Sequence, residues 1–155
     1  MKCLTFILLV FVACTTAEES EGISIDRFVQ LFSISAQEVK TCIQKTGVRI
    51  EHLRALEDTF DKDVEVSSES TRKACCYLVC CAHAQGTMVG SELQIEKIVQ
   101  IIREIEMKAG IDRQLKAMLI VYVKQCEKQV KDITDACDVA FVFMKCLKNK
   151  FEEFR

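Results

Sequence analysis

Apolar residues recur at helical intervals along almost the whole chain. Ile25, Phe28, Val29 and Phe32, with Leu31 beside them, repeat at the three- and four-residue steps of one helix face. Ser35-Ala36-Gln37-Glu38 has the form of a capping box, in which the Ser oxygen takes an orphan N–H and Glu38 reaches back. The helix it starts carries Val39, Cys42 and Ile43 on one side, and Gly47 supplies a left-handed stop. Ile50, Leu53 and Ala55 or Leu56 mark a short amphipathic helix ending near Phe60, before a solvated turn at Asp61-Lys62-Asp63. Ser67 or Ser68 can cap the next helix, which runs to about Ala84 and holds the run Cys75-Cys76-Tyr77-Leu78-Val79-Cys80-Cys81. Gln85 to Gly90 reads as a loop. A helix opening near Ser91 places Ile95, Ile98, Val99, Ile102 and Ile105 on one face and Glu96, Lys97, Arg103 and Glu104 on the other, and Gly110 ends it. Asp112 can cap a helix whose stripe is Leu115, Met118, Leu119, Tyr122 and Cys126, widened by Val123.

Asp132 or Thr134 opens the last helix. Cys137, Ala140, Phe141, Met144 and Leu147 form one face of it, and Val139, Phe143 and Cys146 another. A helix that is apolar on two faces is buried on two faces, so this one is expected at the centre of the domain. Phe151 and Phe154 extend a partly charged tail. The pattern predicts an all-α protein of about six helices with no convincing strand, and most of its apolar residues are explained as plain core.

Composition supports that class. The chain has 155 residues, no Pro, five Gly and 50% hydrophobic residues, enough for one domain with a sizeable core. The formal charge of -2, with no run of like charges, argues against a nucleic-acid partner. No internal repeat of solenoid length is evident. The N-terminus changes the picture more. Lys2, the apolar stretch Leu4 to Val12 and the small residues Thr15-Thr16-Ala17 read as a signal peptide, residues 1–17, cut after Ala17. The apolar stretch is too short to span a bilayer, which takes roughly 20 residues. A retained N-terminal helix is the alternative, and a lipidated Cys14 is a remoter one, since Phe11 stands where a lipobox wants Leu. The expected product is residues 18–155, secreted to the extracellular space, with no membrane insertion.

Ten cysteines are present, and loss of Cys3 and Cys14 with the signal peptide leaves eight. An even count in a small exported chain reads as disulfide-linked. Zinc is a rival, because Cys75, Cys76, Cys80, Cys81 and His83 are all ligand types. Yet structural zinc draws its pairs from two separate segments, and one helix cannot wrap four thiolates around an ion. Cys80-Cys81-Ala82-His83 faintly resembles a secreted phospholipase helix, but Ala84 stands where the orienting Asp belongs and no glycine-rich calcium loop precedes it. No thiol has a His and Asn partner set for nucleophilic catalysis. The expectation is therefore no enzyme, no cofactor and no metal.

Spacing is more informative. Cys76 and Cys80 enclose three residues, Cys137 and Cys146 eight, Cys126 and Cys137 ten, Cys80 and Cys126 45, and Cys42 and Cys76 33. A secreted, all-helical chain with three residues between its second and third cysteines and eight between its fifth and sixth resembles the insect odorant-binding proteins, the pheromone-binding and general odorant-binding family. The likeness runs from Cys42 to Cys146, and Cys42-Ile43-Gln44-Lys45-Thr46-Gly47-Val48 is similar to the family's first-cysteine region. Six cysteines alone leave many pairings open. The resemblance implies Cys42–Cys80, Cys76–Cys137 and Cys126–Cys146. Cys75 and Cys81 are extra to that scheme. Six helical steps separate them by roughly 9 Å of rise, whereas a disulfide wants Cα atoms within about 7 Å. They are expected as free buried thiols, with intermolecular links or a rearranged bridge set as alternatives.

The resemblance also implies a carrier with an apolar internal cavity. Facing stripes would line it: Ile98 and Ile102, then Met118, Leu119, Tyr122 and Val123, then Phe141 and Met144. Met88, in the loop, would gate it, and Tyr122 offers the clearest hydrogen-bond handle. The implied partners are a small apolar ligand such as an odorant or pheromone and a chemoreceptor, with the carrier a monomer or weak homodimer. Only His52 and His83 could serve a pH-dependent release. The competing reading is a disulfide-linked helical signalling protein, cytokine-like or saposin-like, that acts through its surface and has no cavity.

Overall fold

Each helix begins and ends where local chemistry sets it. The computed structural model describes residues 25, 26, 29, 33–61, 68–104 and 113–153. Helix α1 (Ala36–Thr46) has the expected capping box: Glu38 N–H donates to Ser35 Oγ at 3.1 Å, and Ser35 N–H donates to the Glu38 carboxylate at 2.8 Å. Gly47, at φ 64°, ends it and donates its N–H to Ile43 O. Helix α2 (Ile50–Asp61) starts differently. His52, buried at its first turn, accepts the Arg49 N–H on Nδ1 at 3.0 Å, standing where a capping-box Glu would. Ser68 caps α3 (Glu69–Gln85), and its hydroxyl bonds to that of buried Thr71, which reaches Thr59 of α2 at 3.3 Å.

After α3 the expected loop is a small antiparallel hairpin, β1 (Met88–Val89) with β2 (Glu92–Leu93), in which Met88 faces Leu93. Gln94 N–H donates to Thr87 O, so residues 92–94 are held by the hairpin, and α4 (Ile95–Glu104) opens at Ile95 rather than near Ser91. Helix α5 (Arg113–Val130) follows. Asp135, and not Asp132 or Thr134, caps α6 (Ala136–Glu153), its Oδ1 accepting from Cys137 N and Asp138 N at 3.0 and 3.1 Å. The tail expected around Phe151 is the last turn of α6, and Phe151 is buried.

Two apolar cores result. The first gathers Val39, Leu53, Leu56, Phe60 and Tyr77 from α1, α2 and α3 against Phe141. The second gathers Met88, Val99, Ile102, Leu119 and Val123 against Val139, Phe143 and Leu147. Helix α6 thus serves both cores from opposite faces, and Cys137 and Val142 touch both. The double apolar pattern of the last helix is that central position. Three disulfides join the layers: Cys42–Cys80 links α1 to α3, Cys76–Cys137 links α3 to α6, and Cys126–Cys146 links α5 to α6. The protein is all-α in architecture, with the hairpin as a minor addition.

The expected signal peptide 1–17, Phe28, Leu31, Phe32, Lys62, Asp63, Ser67, Ile105, Gly110, Asp112 and Phe154 lie outside the described residues. Among the described residues no helix is long and apolar enough to cross a membrane.

Candidate functional site

The thiol run resolves into two kinds of cysteine. Cys76 and Cys80, four apart on α3, share a helix face, stay half-buried, and take bridges from α6 and α1 respectively. Their neighbours Cys75 and Cys81 turn into the first core as free thiols, exposed by 1% and 0%. Burial pushes the Cys75 thiol up to about 12. Asp138 adds to that, and Arg72 opposes it. Burial likewise pushes Cys81 up to about 11, against a hydrogen bond from Tyr77 one turn earlier. Both are protonated at neutral pH, and the thiolate is the form that attacks or binds metal. The nearby His83 is exposed at the end of α3, its Nε2 2.8 Å from Gly90 O, pinning the hairpin turn to the helix. Among the described residues no three His, Cys, Asp or Glu side chains are grouped to hold a metal ion.

The nine residues expected to line a cavity fall into two sets. Ile102, Leu119 and Val123 are buried in the second core, with Ile98, Met118 and Tyr122 packed on it and only half-buried. Met88 belongs to the same set: it lies on β1 with 2% exposure, and the exposed residue of that strand is Val89. Phe141 and Met144 are on the other side of α6, at the first core, where Phe141 stacks on Phe60 with ring centroids 5.2 Å apart. The structure brings seven of the nine together and sets two apart.

Several contributors carry weak sequence signals. Tyr77 is the largest fully buried side chain among the described residues, yet in sequence it is one aromatic inside a cysteine run. Phe151 meets Tyr122 edge-on, centroids 5.3 Å apart at 89°, so the expected polar handle also has an aromatic neighbour. Phe151 follows Phe143 and Leu147 at four-residue steps on the same helix, and that spacing could have placed it with the α6 face of the second core. A separate surface cleft of about 710 Å³ lies between the hairpin, the start of α4 and the last turns of α5, and none of the nine lines it.

The sequence matches the PBP/GOBP family over residues 26–150. No curated protein and no solved structure matches the chain. The matched span takes in all six bonded cysteines and every described helix except the last residues of α6. With its helices tied in the order the resemblance implied, the chain belongs to the PBP/GOBP family of insect odorant-binding proteins, which are binding and carrier proteins of odorants and pheromones rather than enzymes.

Proposed function

We propose that the mature chain is a secreted carrier that holds one small apolar molecule in its interior, beside the second core. Family membership sets the class, and one local observation supports the place. Ile98 on α4 and Met118 and Tyr122 on α5 lie on the core-facing stripes, yet each is only half-buried beside fully buried Ile102, Leu119 and Val123. Core-facing apolar side chains that keep exposed surface still have hydrophobic free energy to gain, roughly 25 cal/mol per Å² covered. A flexible thioether at Met118 suits ligands of varied shape, and the Tyr122 hydroxyl suits a ligand alcohol or carbonyl. Secretion rests on the apolar N-terminal segment and on the disulfides, which persist in oxidising compartments. A chemoreceptor is the partner such a carrier would serve.

Displacement of an environment-sensitive apolar dye from residues 18–155 tests this. Saturable dye binding, reversed by long-chain alcohols, esters or hydrocarbons, is the expected result. Tyr122→Phe should weaken an alcohol about fivefold, the worth of one hydrogen bond near 1 kcal/mol, and leave a hydrocarbon of equal length unchanged. Absence of saturable dye binding by the folded protein would remove the carrier reading and leave the surface-acting signalling protein in its place. Equal affinity under neutral and mildly acid conditions would rule out release by acidification.

A further inference from the structure

The surface cleft has a composition of its own. Its volume of about 710 Å³ is that of a small-ligand site. Lys97 of α4 and Lys124 and Lys128 of α5 are among its lining residues, together with the apolar Val89, Leu93 and Ile95. Val89 is 63% exposed, the most exposed large hydrophobic residue among those described. The lysines are uncommitted: among the described residues none of the three is in an ion pair, although Lys73, Lys148 and Lys150 are paired along their own helices. Lys124 and Lys128 stand one turn apart, a like-charge spacing that repels on a helix until an anion sits between.

The Lys97 ammonium lies over the turn at Gly86. Gly86, at φ 80°, ends α3, and a Cβ there would come within 2.6 Å of the Lys97 Nζ. The glycine therefore serves twice: it takes the left-handed conformation, and it leaves room for the ammonium to lie over the turn. Two carboxylates, Glu96 and Glu127, share the lining and reduce its charge to one net positive. That balance suits a singly charged anion and disfavours a polyanion.

We propose that this cleft is a second, external binding site for a small amphiphilic monoanion, a carboxylate headgroup on a short apolar tail. It is distinct from the interior site proposed above. The headgroup meets Lys97, Lys124 and Lys128 by charge-assisted hydrogen bonds, and the first carbons of the tail cover Val89 and Leu93.

Calorimetric titration of the secreted form (residues 18–155), first saturated with the apolar dye, separates the two sites. Octanoate is the monoanionic probe, octyl phosphate the more highly charged one, octanol the neutral one, and octylamine the opposite charge. Octanoate is expected to bind without displacing dye, more tightly than octanol, and more weakly as salt rises. Lys124→Gln/Lys128→Gln, at exposed positions whose change leaves the fold intact by circular dichroism, should cut octanoate affinity about tenfold or more and leave dye affinity unchanged. A preference for octanoate over octyl phosphate, which is largely a dianion at neutral pH, is expected from the lining's single net charge, and the reverse preference would overturn the monoanion assignment. Equal binding of octanoate, octanol and octylamine, full competition of octanoate with dye, or an unchanged octanoate affinity in the double variant would each overturn the site. Dye binding that fails while octanoate still binds would remove the interior reading and leave this one standing.

Discussion

Burial of Cys75 and Cys81 is a statement about reactivity and about alkaline stability. With values near 12 and 11, both thiols stay protonated in the folded chain at a pH where an unfolded cysteine, near 9.0, ionises. A group raised by folding contributes stability that is complete below its unfolded value and declines as pH rises toward the folded one. Stability should therefore fall above about pH 9 by up to about 1.4 kcal/mol per pH unit for each thiol. Cys75→Ala/Cys81→Ala should flatten that decline in urea titrations, and an unchanged slope would contradict the assignment. Labelling of the two thiols by an aromatic disulfide reagent should keep pace with unfolding in denaturant and not precede it. Asp135 behaves oppositely. The Arg72 guanidinium, 2.7 Å away, holds its carboxyl below the usual range, helped by the Asp138 N–H. Its contribution is present above the ordinary value of 3.8 and is lost as pH falls through the lowered one. Asp135→Ala should cost about 1 kcal/mol at neutral pH through the lost cap. Arg72→Ala should cost less, because that ion pair is half-exposed and screened.

At the level of elements, removing one bridge at a time should rank the ties. The chain-entropy account gives about 3–4 kcal/mol per bridge, largest for the loop of 61 residues at Cys76–Cys137 and about 1 kcal/mol smaller for the loop of 20 at Cys126–Cys146. Paired Cys→Ala variants in guanidinium would show the order, and a reversed order would point to folded-state packing as the source. Helices and caps are well encoded in this sequence because their signals are local: Ser35 with Glu38, Gly47 and Ser68 all act where expected. The hairpin is not, because two-residue strands are too short to show alternation, so Met88 reads from sequence as a loop residue gating the cavity, whereas it lies on β1 with 2% exposure. The candidate site is legible only in part. Period reveals which face of a helix is apolar, but not which of two cores that face meets, so it sets Phe141 and Met144 of α6 beside the α5 stripe although both meet the first core. His52 was opaque for a similar reason: its role is one backbone N–H, with no charged partner to reveal it.

Across the whole molecule the bridges run α1 to α3 to α6 to α5 and pass by α2 and α4. Helix α2 packs closely on α3, whereas α4 rests chiefly on α5. Native-state hydrogen exchange should therefore find α3 and α6 opening only near the global free energy and α4 opening below it. Equal protection of α4 and α6 would show that packing, and not covalent linkage, sets the hierarchy. The alternation within the thiol run has a further consequence, for biosynthesis. Each bonding sulfur on α3 has a chemically identical neighbour one residue away, and what tells them apart is a rotation of about 100° around the helix axis. Before α3 has coiled, an oxidase meets four equivalent sulfurs. Once it has coiled and docked, two are hidden and two remain within reach of α1 and α6. Helix formation before oxidation selects the native pair directly, whereas oxidation first must be corrected by thiol–disulfide exchange, so the yield of native chain should rise with an isomerase present.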